Sequence, residues 1–354
     1  MQSTKKNMRD TITFLTSKVL NKPLLLNILK KSEITNVDDR NILKIIINDF
    51  SNNHFKLINS QENLFLNLHS HEIWAPYLIF RYKFKNYPKH KIVTDFPIYL
   101  LVEPVSSCNL RCVMCFQIDE TFNKSQEFMG KMDLKLFYNI IDQAHIGGTK
   151  ALTLASRGEP TLHPQLGEML DYCKDKFFEL KINTNATLLN EKLIHKILRS
   201  GVTDMVFSVD SYEKKEYESI RVRGIFENVL NNIIKFKEIR DNEYPNSKCI
   251  TRVSGVKIEK EQDPLKFKEF WEQYVDHVVM VEMENRWDTY HNPIEIAGSG
   301  ACEYLWERMY VWYDGVCNPC DIDYKSELSI GSIKENSIKN IWKGEKYQSI
   351  RKLH

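Results

Sequence analysis

The stretch IYLLVEPVSSCNLRCVMC, residues 98–115, decides how the remainder of the chain is read. It opens with an apolar, β-rich run that stops at Pro104, the pattern of a buried strand. Cys108, Cys112 and Cys115 follow at once in a CxxxCxxC loop. Structural zinc wants four ligands, usually as two short pairs, and no fourth Cys or His lies in this loop. Three thiolates suit an iron–sulfur cluster that leaves one iron open to an exogenous ligand. Structural thiols without metal are the third reading.

Outward from the loop the texture repeats. ALTLAS, FELKINTN, DMVFSVD, KCITRVSGVKI and HVVMVEME read as further strands. Between them, DLKLFYNIIDQAHIGG, HPQLGEMLDYCKDKF, NEKLIHKILRSG, RGIFENVLNNIIKFKEIRD and DPLKFKEFWEQYV carry apolar residues at helical spacing. This alternation predicts an α/β fold, a parallel barrel or a doubly wound sheet, with active residues where strands end and loops begin. Residues 1–90 contain no Gly, and NKPLLLNILKK and NILKIIINDF have helical periodicity, so they read as a helical N-terminal extension. NYPKHKIVTDFP, polar and bracketed by prolines, reads as a linker. Residues 91–290 form the expected core. Residues 291–354 form a C-terminal extension, with WERMYVWYDGVCNPCDIDY as a hairpin around an Asp-Gly turn and NSIKNIWKGEKYQSIRKLH as a closing helix.

The totals exclude several classes. Lys and Arg number 49 against 47 Asp and Glu, a net charge of +2, so neither nucleic acid nor an anionic membrane is an expected partner. No apolar run reaches the length of about 18 residues that a membrane span needs. The basic start MQSTKKNMRDTITFL lacks an uninterrupted apolar segment and a small-residue cleavage site, so a cytoplasmic location is expected. Clustered cysteines in a reducing cytosol bind metal more often than they pair.

CxxxCxxC directly after the first strand of an α/β barrel resembles the radical S-adenosylmethionine (SAM) superfamily. The resemblance implies that Cys108, Cys112 and Cys115 hold a [4Fe–4S] cluster whose fourth iron is chelated by SAM. Other segments match in order. SRGEPTLHP resembles the family's GGEP segment, with Arg157 in place of the first Gly and Gly158, Glu159 and Pro160 retained. Glu159 and backbone carbonyls there are implied to receive the SAM ammonium group. NTNATLL resembles the segment near the SAM ribose and carboxylate, which points to Asn183 and Asn185. FSVDSYEKKEYESIRVRG resembles the fourth-strand segment, placing Ser208 and Asp210 near the ribose and Arg221 on the SAM carboxylate. Met114 falls where the family has an adenine contact, and VSGVKI where the fifth strand meets adenine. Plain alternatives stand beside these roles: Glu159 as a helix cap, Asn183 and Asn185 as turn residues, Arg221 in a surface ion pair and Met114 as core filler. The implied activity is reductive cleavage of SAM, fed by a flavodoxin- or ferredoxin-type donor. It yields a 5′-deoxyadenosyl radical that abstracts hydrogen from a substrate carbon.

The tail ACEYLWERMYVWYDGVCNPCDIDY resembles the start of a SPASM or twitch extension. Cys302, Gly315 and Cys320 fit its pattern and Cys317 adds a CxxC, so the hairpin is expected to bring three thiols together around an auxiliary iron–sulfur cluster. No cysteine follows Cys320, so ligand count excludes two such clusters. A fourth ligand would come from Cys249, Asp321, Asp323 or His291, or the iron stays open. The alternative is a hairpin without a cluster, held by Trp306, Trp312 and Tyr313. Cys173 reads as a buried helix thiol. Cys249 is either a hydrogen donor to a substrate radical, as in the radical SAM epimerases it resembles, or a strand-end core thiol. An auxiliary cluster implies dehydrogenation or cross-linking; a thiol donor implies epimerisation. The expected substrate is a small carbohydrate-like molecule. The alternative is a peptide or protein docked on residues 1–90. A zinc scaffold and a disulfide oxidoreductase built on Cys317 and Cys320 are the remaining rivals.

Overall fold

The computed structural model describes residues 20–284, 286–291 and 300–354. Four helices come first: α1 (Lys22–Lys31), α2 (Val37–Ser51), α3 (Ser60–Leu68) and α4 (Trp74–Asn86). The sequence marks their starts. Asn21, Asn36 and Asn59 each accept a backbone N–H from the first turn, and Glu62 closes a capping box at α3. Their apolar faces meet in one core with Leu25, Leu29, Ile46, Tyr77 and Leu78, which also takes in Ile98 and Ala151 at the start of the sheet.

The sheet is then built from β1 (Tyr99–Val102), β3 (Ala151–Leu154), β4 (Glu179–Thr184), β5 (Asp204–Ser208), β7 (Ile250–Lys257) and β8 (His277–Glu282), with a separate short pair, β2 (Arg111–Cys112) and β6 (Arg221–Val222). The intervening helices are α5 (Glu120–Asn123), α6 (Leu134–Gly147), α7 (Leu166–Cys173), α8 (Glu191–Arg199), α9 (Lys214–Ile220), α10 (Phe226–Glu243) and α11 (Pro264–Trp271). The six main strands are neighbours in chain order and all parallel. Period-two alternation sorts their side chains. Leu152, Leu154, Leu180, Ile182, Met205, Phe207 and Val253 pack under the helices in the main core. Thr153, Asn183, Ser208, Arg252 and Ser254 fall on the other face. The Tyr99 hydroxyl on β1 acts electrostatically on Arg252 on β7. Four strand spacings of about 4.8 Å would hold them roughly 19 Å apart in a flat sheet, so the sheet curls and that face is concave. The expected α/β fold, a partial parallel barrel, is what forms.

The tail departs from expectation in two places. It contains β9 (Arg308–Val311), β10 (Val316–Asn318), β11 (Gly331–Ser332), α12 (Ile338–Lys343) and α13 (Glu345–Leu353). The hairpin forms around Asp314 and Gly315, with Gly315 at φ +90°, a conformation that favours glycine. Yet β9 also pairs in parallel with β1, so the sheet runs on through the tail in the order β11-β10-β9-β1-β3-β4-β5-β7-β8. The single closing helix is two, because Gly344 is extended and a Cβ there would lie 2.6 Å from the Asn340 carbonyl oxygen. The segment read as a linker is pinned to α12. Trp342 Nε1 donates to the Thr94 carbonyl at 2.9 Å, and Lys343 Nζ lies 2.7 Å from Asp95.

A buried ion network joins the N-terminal helices to the barrel. Arg81 Nε lies 2.6 Å from Glu62 and its Nη1 3.1 Å from Glu179 at the start of β4; Lys85 reaches Glu62 at 2.9 Å. Replacing Arg81 with Met strips Glu62 and Glu179 of their shared cation. It is expected to cost about 3–5 kcal/mol in urea denaturation. Breaking the exposed Lys237–Asp241 pair with Lys237→Ala should cost less than about 1 kcal/mol.

Candidate functional site

The site begins where β1 ends. Glu103 is fully buried and faces Arg157 beyond β3. Arg157 Nη2 donates to Glu103 Oε1 at 2.6 Å, and its Nε to Oε2 at 2.8 Å, a two-pronged contact that suits the planar fork. Arg157 Nη1 donates to the Tyr324 carbonyl at 2.8 Å, its guanidinium lies 4.5 Å from the Trp312 ring centre, and Tyr313 N–H donates to Glu103 at 3.2 Å. The residue that stands in place of the family's first glycine therefore clamps the end of β1, the GEP turn and the tail together.

The GEP turn lies directly on the cysteine loop. A Cβ on Gly158 would run into the carbonyl oxygens of Val105 and Ser107, so only glycine fits. Glu159 N–H donates to Ser107 O at 3.0 Å. Gln117 Nε2 donates to Ser106 O at 2.8 Å and to Arg157 O at 2.6 Å, fastening the far end of the loop. The β2–β6 pair sets Cys112 opposite Arg221. Asn185 Nδ2 donates to Asn109 Oδ1 at 2.9 Å and lies 3.9 Å from Cys108 Sγ. Burial, with Glu159 and the neighbouring cysteines adding to it, pushes the Cys108 thiol up to about 12. Burial likewise raises Cys112 to about 11 and lifts Cys115. Without a cation these thiols stay protonated; a bound metal reverses that preference. Among the described residues no three His, Cys, Asp or Glu side chains converge on one ion position.

The surroundings fit the expected cofactor pair. Glu159 is buried, and its oxygens accept from Thr161 Oγ1 and Thr184 Oγ1, both at 2.6 Å, and from Asn185 N–H at 2.7 Å. Burial still pushes its carboxyl above the usual range, and no Lys or Arg among the described residues pairs with it. A ligand ammonium is the charge such a site lacks. Glu159 also caps the short turn Pro160–Leu162, as the plainer reading held. Ser156 Oγ and Asn183 Oδ1 are buried without hydrogen-bond partners among the described residues. Ser208 is half-buried on the concave face, and Met114 is half-buried between Cys112 and Cys115.

Other residues fall elsewhere. Asp210 is fully buried, accepting from Arg221 Nε at 2.7 Å and Val256 N–H at 2.9 Å. Each oxygen has one partner, and Asp210 fixes Arg221 beside Cys112. The Arg221 pair is buried, not a surface one. Cys249 precedes β7 and packs in the main core near Asp204 and Asp276. Ser208 sits at the other end of the neighbouring strand, roughly 15 Å away by strand rise, so the structure does not bring Cys249 to this site. Of the tail thiols, Cys302 is exposed and Cys320 partly buried, close enough that Cys302 raises the Cys320 pKa after burial and Asp321. Cys317 pairs in register with Val311 and turns into the apolar core, and all three thiols lie near enough to Tyr347 to add to the rise that burial gives its hydroxyl. Cys173 is the buried helix thiol expected. The clamp residue Glu103 and the loop fasteners Asn109 and Gln117 carried no motif; a charge ending an apolar strand was the only signal for Glu103.

Arg157→Gly restores the family's glycine but leaves Glu103 buried and unpaired. It is expected to destabilise the protein by about 3–5 kcal/mol in chemical denaturation, with Arg157→Lys recovering only part of the loss.

Two family models match, the radical SAM superfamily over residues 102–270 and an iron–sulfur cluster-binding domain, SPASM, over residues 302–354. A tungsten-containing aldehyde ferredoxin oxidoreductase cofactor-modifying protein of Pyrococcus furiosus is 37% identical over 113 residues, 32% of this chain and 30% of that protein. Mycofactocin maturase MftC of Mycobacterium ulcerans is 26% identical over 140 residues, 37% of this chain and 34% of that one. The match thus spans about a third of each of these relatives. Among solved structures, Streptococcus suis SuiB bound to precursor peptide SuiA superposes with a TM-score of 0.57 at 16% identity, covering 94% of this chain and 84% of that one. AdoMet-bound anSMEcpe gives 0.55 at 16% identity, covering 73% and 80%. These likenesses share the barrel. With the cysteine loop, the GEP turn and the tail in their expected order, the chain belongs to the radical SAM superfamily, whose members carry a [4Fe–4S] cluster and SAM, and it bears a C-terminal SPASM-type iron–sulfur cluster-binding extension.

Proposed function

We propose that this chain is a radical SAM oxidoreductase that removes hydrogen from a carbon of a small, polar, carbohydrate-like substrate held on the concave face of the sheet. The observation that carries the reading is the cysteine loop seated beside Glu159, a buried carboxylate without a cation of its own. A reduced cluster held by these cysteines would supply one electron to the sulfonium of SAM, and SAM would supply the carbon radical for hydrogen abstraction, with methionine as the leaving group. In this reading Cys108, Cys112 and Cys115 hold the cluster. Glu159 and the carbonyls around Gly158 receive the ammonium group. Asn183, Asn185 and Ser208 flank the ribose and carboxylate, Met114 lies by the adenine, and Arg221, oriented by Asp210, meets the SAM carboxylate. Residues 1–90 are the helical extension, 91–290 the catalytic barrel and 291–354 the auxiliary domain. The described part of that extension packs against the start of the sheet, which supports its closing the barrel against water more than serving as a free docking module. Asn183, Ser208, Arg252 and Ser254 make the concave face polar, which favours a small polar substrate.

Oxidation is favoured over epimerisation, because Cys249 lies at the far end of the sheet and an auxiliary cluster in the tail would take the second electron as the substrate radical loses a proton. A flavodoxin- or ferredoxin-type protein supplies the electron. Eight unpaired cysteines suit a reducing cytoplasm. A second reading, peptide maturation, is supported by two relatives, mycofactocin maturase MftC and the subtilosin biosynthesis protein AlbA.

The test is anaerobic reconstitution with iron and sulfide, then SAM and dithionite. The wild type should form 5′-deoxyadenosine, and Cys108→Ala, Cys112→Ala or Cys115→Ala should abolish it; iron-loaded wild type that forms none would sink the reading. If the tail pair anchors a second cluster, the Cys302→Ala/Cys320→Ala double variant should drop bound iron from about eight to about four per chain, while Cys317→Ala keeps it. Unchanged iron in the double variant would remove the auxiliary cluster.

A further inference from the structure

Two polar side chains on the concave face lack partners. Asn183, Val206 and Arg252 stand side by side on β4, β5 and β7 in one register row. Asn183 Oδ1 and Arg252 Nε are shielded from solvent, and neither has a hydrogen-bond partner among the described residues. Arg252 also makes no ion pair among the described residues. Burial depresses its pKa, and Asp204 and the Tyr99 hydroxyl oppose that without bonding to it. Both of its strand neighbours, Thr251 and Val253, turn the other way, so the guanidinium is not part of the main core. The next row on the same face toward the cysteine loop is Ser208 beside Ser254. A cation whose shielded Nε makes no hydrogen bond, and which Asp204 reaches only through space, weakens the fold, and a protein keeps such a group where a ligand completes it.

We propose that Arg252, in the row that Asn183 shares on its cofactor side, binds a carboxylate of the substrate. The planar guanidinium presents paired N–H groups that match the two oxygens of a carboxylate. The substrate class is then a polar molecule bearing a carboxylate, whether a sugar acid or the carboxylate of an amino acid or peptide. This assignment rests on the concave face being the substrate site.

The test uses the cluster-reconstituted full chain and matched probes in thermal melts: D-glucuronate against D-glucose, and N-acetyl-L-alanine against N-acetyl-L-alaninamide, each at millimolar concentration. The acid of at least one pair should raise the apparent Tm by about 2 °C more than its neutral partner. The responding pair identifies the source of the carboxylate. In Arg252→Gln that difference should vanish, in Arg252→Lys part of it should persist, and ligand-free Arg252→Gln should melt no lower than wild type. Equal responses to acid and neutral probes, or a difference that survives Arg252→Gln, would overturn the proposal. So would a variant that melts several degrees lower, which makes Arg252 structural, or one that binds SAM tenfold more weakly in equilibrium dialysis, which assigns it to the cofactor. Wild type is assayed in parallel for 5′-deoxyadenosine. Its absence would fail the radical reading itself, while its formation with undiscriminating probes would fail only Arg252.

Discussion

The buried pair between Glu103 and Arg157 is the constraint on which the upper end of this molecule depends. Loops at the ends of barrel strands are the least restrained part of such a fold, and here three of them must hold a common geometry. Glu103 leaves β1 just before the cysteine loop; Arg157 leaves β3 just before Gly158; Tyr313 and Tyr324 belong to the tail. Away from water the attraction is strong, but so is the desolvation penalty. The pair stands because nearly every remaining valence is used, by Tyr313 N–H, the Tyr324 carbonyl and the Trp312 face. A surface ion pair could not fix three loops in this way.

The opposite end of the barrel is closed by different means. Four helices cover it with an apolar core, and Arg81 binds Glu62 and Glu179 across the junction. Among the described residues, Tyr77 Oη is buried without a hydrogen bond at that end, while on the concave face and in the turn above it Ser156, Asn183 and Arg252 keep unpartnered polar atoms and no Lys or Arg pairs with Glu159. Stability is concentrated in the frame and given up where ligands belong, the distribution expected of a preorganised site.

The tail is more than an appendage. Its first strand extends the barrel sheet beside β1, and α12 holds the segment before β1 through Trp342 and Lys343. That integration explains why one cysteine of its CxxC is fully buried. A residue in register with Val311 must face the side Val311 faces, so Cys317 is buried while Cys320, beyond the strand, stays near Cys302.

Much of this was legible beforehand. The alternation of strand and helix, the cysteine loop and the hairpin at Gly315 all rest on short-range rules of periodicity and turn chemistry, which a sequence carries in full. What the sequence left open was decided by pairings between distant segments. Asp210 was read as lying near the ribose, and the structure shows its carboxylate orienting Arg221. Cys249 was a candidate hydrogen donor, but the direction of β7 sends it to the far end of the sheet. Arg157 looked like a lapse in a motif and is the clamp of the site. In each case the residue type was known and its face, end or partner was not. Strand register and chain direction determine those, and a shift of one residue reverses every side chain on a strand. The sequence therefore determined which chemistry the chain carries, and the tertiary structure decided which of those groups meet.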